Sequence, residues 1–252
     1  MRQSTRAGAR LGVFGICTAL ALASGVRAAD DHPDFTGVWT TYSEPGQGRG
    51  GAGRAGGGGA AALPMTDVAK KKVAAYRALV TPTGDTPGGY CLGTGMPGSM
   101  LGSGGYPMEI IQRPEQITIV YEAHTEVRRV YIGDRNVPER DRIPGRNGYS
   151  SGRWEGDTLV VETTSLVEQV DQQYAHSDQA RIVERYRMTT DAKGGKVLTA
   201  EMTMTDPVFY TQPVKTEKKW SIVPGGHLLP YECAEEGWNK RLEELEKKAG
   251  RP

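Results

Sequence analysis

One stretch of the sequence sets a carboxylate among apolar residues, in a pattern that could support acid–base chemistry. Residues 181–189 alternate as a β-strand does, and one face of that strand would carry Ile182, Glu184, Tyr186 and Met188. An isolated buried carboxylate is costly, so Glu184 should be either paired or protonated. Two interpretations follow: Glu184 is the acid or base of a cavity, or it forms a structural ion pair, for example with Arg129 across the sheet.

A positive charge occupies a similar position on an earlier strand. Arg129 would share one strand face with Val127 and Tyr131. A buried arginine could hold a substrate carboxylate or enolate through two parallel hydrogen bonds. Glu109 stands between two apolar residues next to a glycine-rich loop, and we predict it as a further substrate-binding residue.

One histidine lies where a loop would reach the mouth of a barrel. His176 could titrate there near neutral pH, and we predict His176 and Tyr174 as proton partners of Glu184. The alternative is a surface histidine without a role. The serine and aspartate after His176 do not form a catalytic triad, because neighbours in sequence rarely reach that geometry. The other histidines lack metal-ligand spacing, so we predict no metal.

These side chains require a scaffold, and the sequence indicates a β-barrel. The motif Gly37-Val38-Trp39 precedes a series of short alternating segments that are typical of antiparallel strands joined by tight turns. Nine candidate strands follow that of Trp39, enough to close a small barrel. They span residues 108–113, 116–124, 126–132, 149–154, 158–164, 181–189, 196–206, 214–223 and 228–233. The pattern resembles lipocalin-like (calycin) barrels, and this resemblance implies an interior that holds apolar small molecules.

Two helices and a glycine-rich segment complete the predicted domain. We expect an amphipathic helix over 67–80 with Thr66 as its N-cap, and a helix at the C-terminal tail over 239–249. Residues 90–106 are glycine-rich and include Met96 and Met100, which adapt to varied apolar ligands. This segment is either a flexible loop beside a cavity or an ordinary loop. Its G-x-G-x-x-G follows no apolar strand and leads into no helix, so we predict no nucleotide or other cofactor.

The first residues have the order of a secretory signal peptide. Arginines precede the apolar run 11–23, and small residues lead to Ala28-Ala29, which predicts cleavage after residues 1–29 and an exported protein with a single domain over 30–252. In an exported chain Cys91 and Cys233 favour a disulfide, although two unpaired buried thiols are the alternative. The glycine-rich residues 46–62 are expected to be a disordered insertion.

The charge balance limits the classes of partner. The chain has 31 basic and 30 acidic residues without a basic stripe, which disfavours nucleic acid, and no later segment is apolar enough to span a membrane. We therefore expect a small-molecule partner, and the sequence does not predict an oligomeric state.

Several motifs together resemble one family of exported, β-rich bacterial proteins that has no general assigned activity. The resemblance implies export and a β fold, without a reaction. Relatives often have a histidine before Ser150, where this chain has Tyr149. The motifs that carry the resemblance are Pro33-Asp34-Phe35-Thr36-Gly37-Val38-Trp39, Glu109-Ile110, Val127-Arg128-Arg129-Val130-Tyr131, residues 152–161, His176-Ser177 and Glu184-Arg185-Tyr186.

Two functions are consistent with this pattern. The first is a cofactor-free enzyme, such as a lyase, dehydratase, isomerase or cyclase, that acts on a small, partly apolar molecule. Its catalytic residues would be Glu184, His176, Arg129 and Tyr174, and its substrate-binding residues would be Glu109, Tyr131, Tyr149, Tyr186, Met96 and Met100. The second is an exported protein that binds a hydrophobic small molecule without catalysis. The opposite charges of Glu184 and Arg129 on otherwise apolar strand faces favour the enzyme, because they are more than a simple apolar pocket needs.

Overall fold

The alternating segments form a closed β-barrel in a computed structural model that describes residues 32–43, 63–102, 105–133, 137–231 and 236–250. The prediction of a barrel is confirmed. The nine strands among the described residues are β1 (Gly37–Thr41), β2 (Met108–Arg113), β3 (Gln116–Tyr121), β4 (Glu126–Ile132), β5 (Tyr149–Glu155), β6 (Thr158–Thr164), β7 (Arg181–Thr190), β8 (Lys196–Thr205) and β9 (Val214–Ile222).

The first strand closes the barrel by pairing with both β2 and β9. Trp39 is fully buried, and its indole nitrogen donates to Phe35 O at 2.9 Å. Gly37 has a φ of 140°, and a Cβ at this position would lie 2.7 Å from the Ile222 side chain. The Gly-x-Trp motif therefore supplies a close strand contact and a core anchor at the point of closure.

Two features of the strand order differ from the predicted antiparallel barrel. β4 and β5 run parallel, with Val130 opposite Ser150, because the long connection over residues 133–148 crosses back along the barrel instead of forming a hairpin. Residues 228–231 form no strand, since β1 already pairs with the outer edge of β9. Instead, Leu229 N donates to Glu122 at 2.7 Å.

Three helices accompany the barrel in the described part of the chain. They are α1 (Asp67–Val80), α2 (Gly98–Gly102) and α3 (Glu236–Lys248), so both predicted helices are confirmed. Thr66 caps α1 by accepting from Ala69 N at 3.2 Å. Ala69 and Val73 pack into the same core as the barrel strands, which means that α1 covers the barrel instead of standing apart from it.

Some predictions concern residues outside the described part of the chain. The signal peptide over 1–29, the insertion over 46–62 and Cys233, the second half of the predicted disulfide with Cys91, all lie there. They stay predictions. None of the helices in the described ranges has both the length and the apolar character needed to cross a bilayer.

Candidate functional site

Neighbouring strands bring a group of polar side chains together inside the barrel. The register sets Ser150 opposite Thr163 on β5 and β6, and Val161 of β6 opposite Glu184 of β7. On the other side, Arg128 of β4 lies opposite Ile119. Alternate residues of a strand share a face, so these side chains all point into the barrel with the apolar core residues around them.

Arg128 and Glu184 form an ion pair at the centre of this group. Their side chains are 1% and 0% exposed, respectively. Arg128 Nη1 donates to Glu184 Oε1 at 3.0 Å, and Nη2 donates to Oε2. The guanidinium also donates to Ser150 Oγ at 3.0 Å and to Thr163 Oγ1 at 2.8 Å. We call these four residues, together with Tyr186, the Arg128 network.

The surroundings keep the guanidinium of Arg128 in its protonated, charged form. Burial alone would lower the pKa of its guanidinium, but the adjacent Glu184 carboxylate more than offsets this and holds the pKa well above its ordinary value. Breaking such a pair would leave a buried charge uncompensated, which costs about 3–5 kcal/mol. The pair is therefore a fixed, electrically neutral unit of the barrel interior.

Two tyrosines approach this unit, and only one of them has an acceptor for its O–H group among the described residues. Tyr186 OH donates to Glu184 Oε1 at 2.8 Å and also lies 3.4 Å from Met100 Sδ. Tyr121 is 2% exposed, and its O–H has no hydrogen-bond acceptor among the described residues, although the Arg128 guanidinium lies close enough to its oxygen to act as a donor, which partly offsets the rise that burial causes in the pKa of the phenol. A buried hydroxyl left without a partner costs about 1–3 kcal/mol.

Both phenols are held in their neutral, donating form. Burial raises the pKa of Tyr121 to about 12, and burial together with the Glu184 charge raises that of Tyr186 well above its ordinary value. Neither can act as a phenolate base near neutral pH. Both oxygens of Glu184 are already engaged by Arg128 and Tyr186. The arrangement can donate a hydrogen bond from Tyr121 to a guest, and three of the roughly four acceptor positions of Glu184 are already occupied.

The predicted proton partner of Glu184 lies elsewhere. His176 is fully buried, and its ring nitrogens face Ser177 O and Met96 O, both at 3.0 Å. Burial lowers its pKa. Tyr174 is half-buried in the same connection between β6 and β7 and packs against the core. In the described part of the chain no hydrogen bond joins either residue to Glu184, so the structure does not assemble the predicted acid–base set.

The glycine-rich segment enters the core and continues into α2 at Gly98, so the expectation that no helix follows its G-x-G-x-x-G was wrong. Met96 and Met100 are 0% and 2% exposed. Glu126, at the start of β4, holds the loop by accepting from Gly95 N at 2.9 Å and from Ser99 Oγ at 2.6 Å. Met100 therefore lies beside Tyr186 of the Arg128 network, while Met96 is buried in the core next to His176.

Four predicted site residues face outward, away from this interior. Arg129 is exposed, because the inward face of β4 carries Arg128 and Val130 instead. A turn with positive φ angles at 124 and 125 precedes β4, and the register with β3 sets Arg128 opposite the buried Ile119. Tyr131 stacks on Tyr149 along the outer wall at 5.1 Å between ring centres. Glu109 alternates with the buried Met108 and Ile110 and so also points outward.

A groove of about 370 Å³ lies on the outer face of β7, β8 and β9. Its side chains include Arg187 and Glu201, 3.2 Å apart, and Glu217 and Lys219, 3.1 Å apart, and these pairs are about half exposed. Exposed ion pairs of this kind contribute little energy and are ordinary for a solvated sheet face. We therefore place the candidate site at the Arg128 network, where polar groups are fully buried.

The sequence interpretation missed Arg128, Ser150, Thr163 and Tyr121. Tyr121 had a usable signal, because it shares one face of β3 with Ile117 and Ile119, and all three are buried. Compared with protein-family models, curated proteins and solved structures, the chain matches none of them. The function must therefore be argued from the geometry of the site.

Proposed function

We propose that this is an exported small-molecule-binding protein that uses its barrel interior in the manner of a lipocalin. The unpartnered hydroxyl of Tyr121 is the observation that carries the proposal. Native proteins satisfy nearly all buried polar groups, and an exception next to a buried charge pair indicates a missing partner. A ligand with a hydrogen-bond acceptor would supply that partner.

The surroundings of Tyr121 suit a ligand that is mostly apolar. The Arg128 network gives the interior one polar point, while the rest of the wall is lined with residues such as Ile117, Met202 and Trp220. Binding sites for small molecules commonly combine an apolar lining with a few fixed polar groups. Met96 and Met100 occupy the interior of the free protein, and their unbranched side chains can repack around a guest.

The acid–base enzyme has less support. Arg128 and Tyr186 already occupy three of the roughly four acceptor positions of Glu184, so a substrate proton would have to compete with the ion pair for this carboxylate. His176 is engaged with backbone carbonyls in a separate part of the molecule.

Native mass spectrometry of the purified mature protein, after incubation with a small-molecule extract of its own host, tests this proposal. We expect a stoichiometric adduct on the wild type and a weaker adduct on Tyr121→Phe, which keeps the ring and removes only the hydroxyl. Equal adducts on both proteins would remove Tyr121 from the site. No adduct on either would overturn the proposed function.

A further inference from the structure

A further charged residue of the barrel wall points inward. Lys218 of β9 lies opposite Ala200 of β8, which in turn lies opposite Tyr186 of β7. Ala200 and Tyr186 are buried, whereas the flanking residues Glu217 and Lys219 are exposed. Because laterally paired residues share a sheet face, Lys218 belongs to the same inner row as Ala200 and Tyr186.

Lys218 differs from the other charged residues of this face. Glu126, Arg128 and Glu184 all have hydrogen-bond partners. Lys218 has neither a hydrogen bond nor an ion pair with any residue that the structure describes, and its partial burial lowers its pKa. Holding a cation out of water without a counter-charge is unfavourable, so a ligand anion would be stabilising at this point.

Among the residues that the structure describes, no strand pairs with β9 beside Lys218 on the side away from β8. β1 pairs with β9 from Ile222 to Trp220 and ends at Thr41, with one further hydrogen bond from Tyr42 N to Lys219 O. Toward Val214, β9 has no strand on this side within the described ranges. Lys218 lies just past the last strand pair and is partly exposed, which gives a ligand a lateral path to it.

The interior next to Lys218 is apolar. The rings of Tyr186 and Trp220 lie nearly parallel with 6.5 Å between their centres, and Met202 is buried on the same face. Ala200, between Tyr186 and Lys218 in the row, contributes only a methyl group. A cation at an opening with aromatic and aliphatic side chains behind it matches a molecule that has an anionic head and an apolar body.

From this geometry we infer that the ligand is an amphipathic carboxylate whose head pairs with Lys218 while its apolar body extends toward Tyr186 and Trp220. This inference rests on the proposed function and specifies its ligand class. A lysine on a partly unpaired strand can also act simply to prevent edge-to-edge association. That role predicts no effect of Lys218 on ligand affinity.

Isothermal titration with straight-chain carboxylates and the alcohols of equal length distinguishes these roles. Octanoate, decanoate and dodecanoate are each compared with their alcohols on wild type, Lys218→Met and Lys219→Met. Lys219 is the matched control, because it points outward and pairs with Glu217 at 3.1 Å. We expect Lys218→Met to lose about tenfold or more in affinity for the best carboxylate and to keep its affinity for the alcohol, while Lys219→Met binds both as the wild type does.

Each other result overturns the inference. Equal carboxylate affinity of wild type and Lys218→Met would assign the lysine to edge protection. Failure of every carboxylate to bind the wild type would exclude the ligand class, and adducts from the host extract would show independently whether the proposed function still stands. If Lys218→Met does not fold, Lys218→Gln serves as the uncharged variant.

Discussion

Removing one hydroxyl group from the barrel interior should stabilise the ligand-free protein. Tyr121 OH is buried without a partner in the described part of the chain, and burying an unsatisfied polar group costs about 1–3 kcal/mol. Tyr121→Phe keeps the ring and its packing, so the free energy of unfolding should rise by up to that amount. For a domain of this size, each kcal/mol corresponds to an increase in Tm of about 2–4 °C.

Tyr186→Phe is the matched control, since it removes the same atom from a tyrosine of the same interior. Tyr186 OH donates to Glu184 at 2.8 Å, and losing a hydrogen bond to a charged group costs about 1.5–3 kcal/mol. Urea unfolding of dialysed protein, with thermal unfolding as a second probe, should therefore shift in opposite directions for the two variants. A loss of stability in Tyr121→Phe as large as in Tyr186→Phe would refute the reasoning, because it would mean that the Tyr121 hydroxyl is already satisfied within the protein.

Three further outcomes follow from the contacts of the core. Glu184→Gln should lower the free energy of unfolding by about 3–5 kcal/mol, because it leaves the buried Arg128 cation uncompensated, and the double variant Arg128→Met/Glu184→Leu should recover much of this loss in urea unfolding. Burial lowers the pKa of His176 below its ordinary 6.5, so as the pH falls through that value only the unfolded chain gains the proton. The free energy of unfolding should therefore be lower at about pH 5.5 than at about pH 7.5, and this difference should be smaller in His176→Gln. Gly148→Ala should lower the free energy of unfolding by about 1–3 kcal/mol or more, because Gly148 has a φ of 61° and the new Cβ would lie 2.5 Å from a backbone carbonyl oxygen. Thermal unfolding measures this loss.

Each of these outcomes has its own control. A double variant as unstable as Glu184→Gln would show that the pair is not the origin of the loss. A pH dependence unchanged by His176→Gln would assign it to other groups. Gly156→Ala, at a φ of 58° with nothing within 4 Å of the new Cβ, isolates the cost of the backbone conformation, and it should be milder than Gly148→Ala.

The barrel could be predicted because each strand of a half-buried sheet carries its own alternating pattern. Residues 181–190 show this most clearly: Ile182, Glu184 and Tyr186 are buried, as the alternation indicates. Both helices were predictable from their apolar spacing, and Thr66 as an N-cap from its position. The parallel pair of β4 and β5 was not, because the loop between them carries no signal for the direction in which the chain returns.

The choice of arginine shows why the site was harder to predict than the fold. Arg128 and Arg129 are adjacent, so either could face inward, and a shift of one residue exchanges the two faces of a strand. The register between β3 and β4 sets Arg128 opposite Ile119 on the inner face, and the sequence does not specify this register. The need of Glu184 for a partner was predictable, whereas the identity of that partner depended on this register.

The most direct test of the account is a time course of the host small-molecule extract incubated with wild-type protein and followed by mass spectrometry at two protein concentrations. A binding protein should withdraw one compound in proportion to the protein added, reach a plateau and release the same compound unchanged on denaturation. Continued loss of a compound beyond the molar amount of protein, with a product accumulating, would contradict the account and show that the protein is an enzyme.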